Sequence, residues 1–407
     1  MSSRIEFRLR QATPALVGWY EPELIDKTFF LRPSSIKGIW RWFARALIAG
    51  ALYDQSYLCG KSRGGLYKIK EEEVRAISYL VGKVMGLGYV DPLGRESEIS
   101  RFRLKVSILQ RPRIDTIRTH GIIYYRGRRM KLQRLALLSL GRVKNLQYFE
   151  GGEFSLTLDL RRSLDKEGEE LALHALILAL TLSGIGKGSR RGLGSLDIVD
   201  IYDFTVEHDL KKFLNRTYEK AQMLVERYSS NLGLKCCSKP PELPPISVFT
   251  KRKSTSGMFI SSVYKLGEID WVKVHNFFLR GERCRVLYSR PQAQDILRQN
   301  LEAWILGLPR EQKGTGYKLA ETERRASPIL MASHTHYHIF GRGVYITTFV
   351  SSDWPFKILW RGAGPPKSAS ISINMNIIVN AMRNALNEFW RYLGRTPRPV
   401  WPEEGVR

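Results

Sequence analysis

A glycine-rich basic stretch, SGIGKGSRRGLGS at 183–195, contains the residue types that bind an anion. Its five glycines let the backbone approach a ligand closely and expose N–H groups, which together form an anion-binding concavity. The side chains among them that can pair with phosphate are Lys187, Ser189, Arg190 and Arg191. A P-loop requires Ser or Thr after the lysine and a helix after the loop, whereas here Gly188 follows and the helix comes before. The stretch therefore favours either a loop that grips an RNA backbone or a structural turn.

A basic stripe on an early helix is the second candidate site. In RPSSIKGIWRWFARALIAGALYD (32–54), apolar residues recur at helical spacing, namely at Ile36, Ile39, Trp40, Phe43 and Leu47. Basic residues four apart share a different face of this helix: Lys37, Arg41 and Arg45. Trp42 lies off the apolar centre, where its ring can stack on a base. A solvated basic face with a partly buried tryptophan is the alternative interpretation.

Histidines are the residues to weigh for catalysis. His120 lies in a basic segment beside Tyr124 and Tyr125, where an imidazole can act as a general acid or base. In SHTHYH, histidines at period two share one strand face, where they could ligate a metal: His334, His336 and His338. Because no carboxylate is obviously spaced to complete a site, we interpret the triplet as an exposed polar strand face. We therefore expect no catalytic residue, no metal and no cofactor.

The charge of the chain indicates a polyanionic partner. Lys and Arg number 65 against 39 Asp and Glu, which gives a net charge of +26 over 407 residues. Such an excess costs a folded protein stability through self-repulsion. Binding to phosphates neutralises these charges and releases condensed counterions, so we expect a nucleic acid.

The termini, the longest apolar run and the cysteines bear on the compartment. The opening MSSRIEFRLR lacks the apolar core of a secretory signal, and LALHALILALTL is too short to span a bilayer. The four cysteines form no C-x-x-C pair, which makes a cysteine zinc site improbable. We therefore expect a cytoplasmic protein without membrane contact, and a reducing cytosol fits the cysteines better than a disulfide framework.

The order of the predicted elements indicates the fold class. Period-two alternation predicts four strands, within 4–16, 100–109, 152–161 and 195–204. Helical patterns lie within 32–54 and 167–184. The resulting order, strand–helix–strand–strand–helix–strand, is the ferredoxin-like or split-βαβ arrangement of the α+β class.

The rest of the chain predicts a second, degenerate copy of this plan. Strand-like segments are ISVFTK, MFISSVYKL, SPILMASHTHYHIF and GVYITTFVSS, with helices near 291–306 and 374–394. We predict an N-terminal ferredoxin-like domain with a basic insertion (1–205), a helical connection with a Pro-rich linker (206–245), and a C-terminal degenerate ferredoxin-like domain (246–407). The role of the basic segment at 109–147 is left open.

Two of these segments, RPSSIKGIWRWFARAL and GIGKGSRRGLGSLDI, resemble the hallmarks of the RAMP superfamily of CRISPR-associated RNA-binding proteins. The first is similar to its S-x-K-G-x-x-R-x-x-x-R helix, and the second to its basic glycine-rich loop before the last strand. TPALVGWY and LGLPR…RRASPI resemble the RAMP subunit at the guide's 3′ end of the type III-B Cmr effector complex.

The resemblance implies two ferredoxin-like domains and a non-catalytic subunit that binds crRNA and helps to assemble an antiviral RNA-guided machine. Its implied partners are crRNA, target RNA and the other RAMP subunits. The implied RNA-binding residues are those of the helix and the loop, with Arg324 and Arg325 added from ERRAS. A RAMP-type endoribonuclease that processes guide precursors and a plain RNA chaperone are the alternatives.

Overall fold

The computed structural model describes most of the chain, and the bounds of its elements follow from it. The described residues are 3–18, 21, 23–91, 96–117, 121–132, 135, 146–267, 269–280, 296–308, 310–312, 315–319, 325–362 and 368–403. Two residues of the sequence analysis, His120 and Arg324, lie outside this part of the chain.

The helices and strands are numbered in chain order. The helices are α1 (Pro33–Asp54), α2 (Glu71–Tyr79), α3 (Lys166–Leu182), α4 (Leu210–Tyr228), α5 (Trp271–Arg280), α6 (Ile296–Gln299) and α7 (Met375–Leu393). The strands as far as α3 are β1 (Arg4–Gln11), β2 (Lys61–Arg63), β3 (Leu66–Lys68), β4 (Tyr89–Val90), β5 (Ser97–Glu98), β6 (Phe102–Gln110), β7 (Arg113–Thr116), β8 (Ile122–Tyr125), β9 (Arg128–Lys131), β10 (Gln147–Glu150) and β11 (Glu153–Leu160). Those after α3 are β12 (Leu196–Tyr202), β13 (Ser261–Leu266), β14 (Arg310–Gln312), β15 (Thr315–Leu319), β16 (Ile329–His334), β17 (Gly343–Phe349), β18 (Lys357–Arg361) and β19 (Ser368–Ser372).

An antiparallel sheet of order β12-β1-β11-β6 organises the N-terminal half. Alternation along β1 buries Ile5, Phe7 and Leu9 against the helices and turns the residues between them outward. Phe7 pairs with Leu156 of β11, so apolar residues of neighbouring strands share the covered face. β6 is an edge strand of this sheet, and the basic segment at 109–147 begins at its end.

Helix α3 is buried on nearly all sides because it lies between two sheets. It packs against α1, α4 and β12 on one side and against β16 and β17 on the other. From Leu171 to Leu182 every side chain is buried, which explains why LALHALILALTL shows no polar face. Asp165 caps the helix by accepting a hydrogen bond from the Gly168 amide at 2.7 Å.

The described residues of the C-terminal half form two further antiparallel sheets. One has the order β13-β17-β16 and the other the order β14-β15-β18-β19. The last helix, α7, packs against α6 and the short turn Ala303–Leu306. The predicted strand ISVFTK is irregular. Of the predicted helix at 291–306, residues 291–295 lie outside the described residues, and 296–306 contain α6 and that turn.

Helices and antiparallel sheets together confirm the α+β class, and one apolar core runs through both halves. The cysteine expectation was wrong for one pair: Cys59 and Cys237 form a disulfide across 178 residues, and Cys236 beside it is free and exposed. None of the helices in the described part of the chain has the length and apolar character needed to cross a membrane.

Candidate nucleic-acid interface

The start of α1 leaves the positive end of a long helix uncompensated. Pro33 occupies the first turn, where its missing N–H is no loss. Arg32 at the N-cap makes no side-chain capping bond, and the first turn contains no acidic residue. The Ser35 and Ile36 amides donate to the Arg32 carbonyl, so it is chiefly the helix dipole that favours an anion at this end.

A cleft of about 420 Å³ borders this helix start, and we call it the α1 cleft. It is lined by Pro33, Ser34, Lys37, Ile99, Ser100, Phe102, Arg103, Leu104 and Arg161. Three of these residues are cationic, and no carboxylate stands among the described residues that line it. Burial, together with the charges of Arg41 and Arg161, lowers the pKa of the Lys37 ammonium. An anion placed here would relieve that repulsion.

Two residues of the α1 cleft, Arg103 and Arg161, were missed by the sequence analysis. They come together because Phe102 pairs with Leu160 where β6 begins and β11 ends. The signal was present in the sequence: each arginine adjoins the end of a predicted strand, and consecutive antiparallel strands bring those two ends together.

The other two residues of the basic stripe have different surroundings. Arg41 donates from Nε and Nη2 to the Leu87 carbonyl, at 2.9 and 2.5 Å, and thus holds the chain after α2 against α1. Burial and the nearby Arg45 lower its pKa. Arg45 is exposed one turn further along the helix.

Trp42 lies in a junction between the two halves of the chain. Its ring meets Phe349 of β17 edge-on at 5.4 Å, and the Arg190 guanidinium lies 5.3 Å from its centre. The glycine-rich stretch and α1 thus meet at Trp42, and the ring serves first as a packing surface between them.

The glycine-rich stretch, 183–195, folds into a compact loop, and we call this loop the glycine-rich knot. Gly184 and Gly194 pack so tightly that a Cβ atom on either would stand 2.0 Å from a backbone carbonyl oxygen, that of Leu193 and that of Ile185 respectively. Backbone bonds tie the knot to the end of β1, from Lys187 to Leu16 and from Gly194 to Pro14, and to β16 at Met331. The glycines are therefore required for close packing.

Part of this knot remains at the surface. Gly186 is exposed, and Lys187, Gly188 and Ser189 are half-buried. Burial lowers the pKa of Lys187, while Glu23 acts in the opposite direction. Together with Arg190, which is also half-buried, these residues are the portion of the stretch that reaches solvent.

The two adjacent arginines of the knot bind the C-terminal half. Arg191 is 6% exposed and donates to the carbonyls of Ile329 and Leu306 and to the Ser327 hydroxyl, at 2.8–3.0 Å. Arg190 donates to the Ser327 carbonyl at 2.9 Å, and burial and the charge of Arg325 lower its pKa. Both guanidinium groups thus connect the glycine-rich stretch to the C-terminal half.

Arg325 is also engaged within the protein. Its Nη2 lies 2.6 Å from a carboxylate oxygen of Asp353 and 3.2 Å from the Ser351 hydroxyl. Its guanidinium stacks 4.7 Å from the ring centre of Trp354. These contacts fix the segment before β16 rather than present a cation to solvent.

The histidine triplet does not form an exposed strand face, and that expectation was wrong. β16 ends at His334 and the chain turns, so His334 and His338 are buried and only His336 is exposed. The two buried rings stack 3.8 Å apart, and Asp197 of β12 lies beside them. The cluster therefore joins the N-terminal sheet to the C-terminal one.

The hydrogen bonds of this cluster use ring nitrogens that a metal would need. His334 lies within hydrogen-bond distance of two oxygen atoms, Asp197 Oδ1 at 3.0 Å from Nδ1 and the Thr181 carbonyl at 2.8 Å from Nε2. His338 accepts from the Ile198 amide at Nδ1, which places its proton on Nε2. The buried Nε2 of His338 has no hydrogen-bond partner among the described residues, and the bonds at Asp197 and Ile198 join β12 to the end of β16 and the turn after it.

Residues 9–197, a little under half of the chain, match the family model of the RAMP superfamily. The N-terminal half of the chain is thus similar to the RAMP superfamily. The matched region includes most of β1 together with α1, β6, β11 and α3, and therefore the α1 cleft and the glycine-rich knot. Its matched region ends just inside β12.

Three solved structures align with nearly the whole chain. Cmr1 from Pyrococcus furiosus in its apo form is 18% identical over 98% of both chains, with a TM-score of 0.47. A chain of the type III-B Cmr-β complex bound to cognate target RNA is 15% identical, with a TM-score of 0.50 over 94% of this chain and 99% of that one. A second structure of that complex, with AMPPnP and single-stranded DNA present, gives 14% identity and a TM-score of 0.50 over 94% and 98%.

At these identities the Cmr-β chains show a shared fold and nothing finer. No curated protein matches the sequence.

Proposed function

We propose that this chain is a non-catalytic RNA-binding subunit of a type III-B Cmr effector complex, that it binds near the 3′ end of crRNA and that it helps to assemble the complex. The observation that carries the proposal is the α1 cleft of the region similar to the RAMP superfamily, where Lys37, Arg103 and Arg161 surround the start of α1 without a carboxylate among the described lining residues. Three cations and a helix N-terminus are suited to successive phosphates of one strand.

The fold supports the same proposal. We interpret the sheet of order β12-β1-β11-β6, with α1 and α3 on one face, as a ferredoxin-like domain, the plan of many RNA-recognition modules. We retain 1–205, 206–245 and 246–407 as the proposed domains. The solved complexes that share the fold contain target RNA and sibling subunits, which we propose as the partners here.

The RNA contacts are assigned from exposure and from existing bonds. We propose Lys37, Arg103 and Arg161 as the principal phosphate contacts, and the exposed Arg45 and half-buried Lys187 and Ser189 as further contacts. Other basic and aromatic residues then have a structural role and hold this surface in place, namely Arg41, Trp42, Arg190, Arg191 and Arg325. Because phosphate contacts orient a strand without reading its bases, we expect little sequence preference.

The affinity for a 20-nucleotide uridine RNA tests the site. At 0.1 M salt we expect Lys37→Ala with Arg161→Ala to bind about 10- to 30-fold more weakly by fluorescence anisotropy, because two phosphate contacts are lost. The matched control is Arg395→Ala with Arg398→Ala, which removes the same charge from exposed positions after α7 and should change the affinity less than about twofold. An equal loss of affinity in both double variants would mean that only the overall charge matters, and it would contradict the assignment.

Purification from the native host tests the assembly role. We expect the tagged chain to elute with a guide RNA and with other RAMP proteins. Recovery of the chain alone, with intact RNA binding, would instead indicate a general RNA-binding protein.

A further inference from the structure

A second cleft, of about 240 Å³, lies at the opposite end of β6 from the α1 cleft. It is lined by Gln110, Arg111, Arg113, Tyr125, Arg126, Glu150 and Gly151, and we call it the hairpin cleft. All but the last two belong to the basic segment for which the sequence analysis assigned no role. β6 connects the clefts, since its first residues line one and Gln110 lines the other, a span of about 27 Å for nine residues.

The hairpin cleft has a net positive charge. Arg113 donates to Glu150 Oε1 at 2.5 Å, which neutralises one of its three arginines. No carboxylate among the described residues pairs with Arg111 or Arg126, and both side chains are exposed. Two uncompensated guanidinium groups on the rim of a concave cavity favour an anion over a neutral ligand.

The strands β8 and β9 form a basic hairpin that borders this cleft. Its two-residue turn, Arg126-Gly127, has φ values of 47° and 73°, the left-handed geometry of a tight hairpin turn. Arginine is an unusual residue for such a turn, where Asn or Gly is preferred. The turn holds Arg126 at the tip, followed by the exposed Arg128 and Arg129.

The hairpin is anchored to the same small core as the glycine-rich knot. Ile123 and Tyr125 pack in an apolar cluster with Leu16 and with Leu193 of the knot. The Tyr125 hydroxyl donates to the Ala12 carbonyl, and the Ala12 amide bonds to Ser195 at the end of the knot. The hairpin is therefore a fixed part of the surface of the N-terminal half.

We propose that the hairpin cleft is a second binding site for the phosphodiester backbone of single-stranded RNA, held by Arg111 and Arg126 with Arg128 and Arg129 at its margin. The strand then follows the edge of the sheet, past the exposed Arg103 and Lys105 of β6, from the α1 cleft to the hairpin cleft. A cavity of this size admits a sugar-phosphate unit and excludes the body of a duplex. The inference rests on the proposed function and extends it to a second site.

Arg111→Gln with Arg126→Asn tests this site, since asparagine tolerates the left-handed turn and keeps the hairpin intact. With the 20-nucleotide uridine RNA at 0.1 M salt, we expect binding to weaken about 10- to 30-fold. The salt dependence, log K against log salt, should flatten by about 1.4, or 0.7 for each lost contact. Photo-crosslinking of 4-thiouridine RNA to the wild-type chain should label peptides within 109–132.

The outcomes separate the two proposals. If Lys37→Ala with Arg161→Ala weakens binding but the hairpin variant binds as wild type and no crosslink falls within 109–132, the second site is rejected and the proposed function stands. If only the hairpin variant weakens binding, the second site stands and the α1 assignment fails. Preferential binding of a duplex over the single strand by the wild type also overturns this inference. So does a hairpin variant whose weaker RNA binding comes with a lowered thermal midpoint, because the loss then reflects unfolding.

Discussion

At the scale of single residues, the cationic side chains divide by what they touch. Lys37 and Arg161 line an open cleft, whereas Arg191 is buried and bonded to three oxygens of the C-terminal half. In the sequence alone, nothing distinguishes the basic residues that line the cleft from the buried one. The difference arises only from the tertiary contacts, and it separates a binding role from a structural one.

Arg191→Ala should destabilise the protein. The change leaves buried carbonyl groups of Leu306 and Ile329 without their donor, so we expect the free energy of unfolding in urea to fall by about 3 kcal/mol. Arg191→Lys should rescue little, because one ammonium does not reproduce the fork of a guanidinium. An unchanged free energy of unfolding together with weaker RNA binding would instead assign Arg191 to the RNA site.

The stability of the fold should depend on the protonation of His174. This buried ring bonds Thr217 at 2.8 Å, and burial, with the charges of Lys220 and Arg216, lowers its pKa to about 3. Glu170 stands 3.7 Å from Nε2, but Lys220 engages it at 2.9 Å. Because the unfolded chain protonates this group near its ordinary pKa of about 6.5 and the folded one does not, its stabilising contribution is full above that pH and is lost as the pH falls.

We therefore expect the wild type to lose about 2 kcal/mol from this group between pH 7.5 and 5.0. His174→Gln, which cannot titrate, should lack that component. Urea unfolding of both proteins at both pH values measures this component. The contributions of all other groups are common to the two proteins and cancel in the comparison. Parallel pH profiles for the two proteins would show that His174 is protonated in the fold.

At the scale of elements, the glycines of the knot and of α1 have opposite roles. Gly194 has a φ of 68°, and a Cβ atom there would stand 2.0 Å from the Ile185 carbonyl oxygen. Gly38 lies on the exposed side of α1, and nothing in the described structure stands within 4 Å of a Cβ at that position. One glycine is required by packing, and the other only lowers helix stability.

Alanine substitutions distinguish these roles. We expect Gly194→Ala to lower the free energy of unfolding by about 2–4 kcal/mol, because the knot must open to admit the methyl group. Gly38→Ala should raise it by about 0.5–1 kcal/mol, since alanine favours the helix. Chemical denaturation measures both, and a neutral Gly194→Ala would mean that the knot is loosely packed.

The disulfide ties the segment after α4 to the end of α1. Because it closes a loop of 178 residues, it restricts the unfolded chain, and we expect reduction to lower the stability by about 2–4 kcal/mol. Cys237→Ser should show a similar loss and become insensitive to reductant. A wild type with the same thermal midpoint with and without reductant would contradict this expectation.

At the scale of the whole molecule, the sequence patterns predicted where helices and strands lie better than they predicted which distant residues contact one another. Period-two alternation located β1, β6, β11 and β12, and apolar spacing located α1 and α3. The partners of Arg191 lie more than 100 residues away, at Leu306 and Ile329, and no local pattern encodes them. Arg161 was missed for a related reason, since its place beside Lys37 follows from strand pairing.

The charge of +26 makes salt dependence the most direct measure of the central claim, that the α1 cleft holds an RNA backbone. For single-stranded RNA the slope of log K against log salt is about −0.7 for each phosphate contact. We expect Lys37→Ala with Arg161→Ala to flatten the wild-type slope by about 1.4, and Arg395→Ala with Arg398→Ala to leave it unchanged. A slope for the cleft variant that equals the wild-type slope would contradict the account.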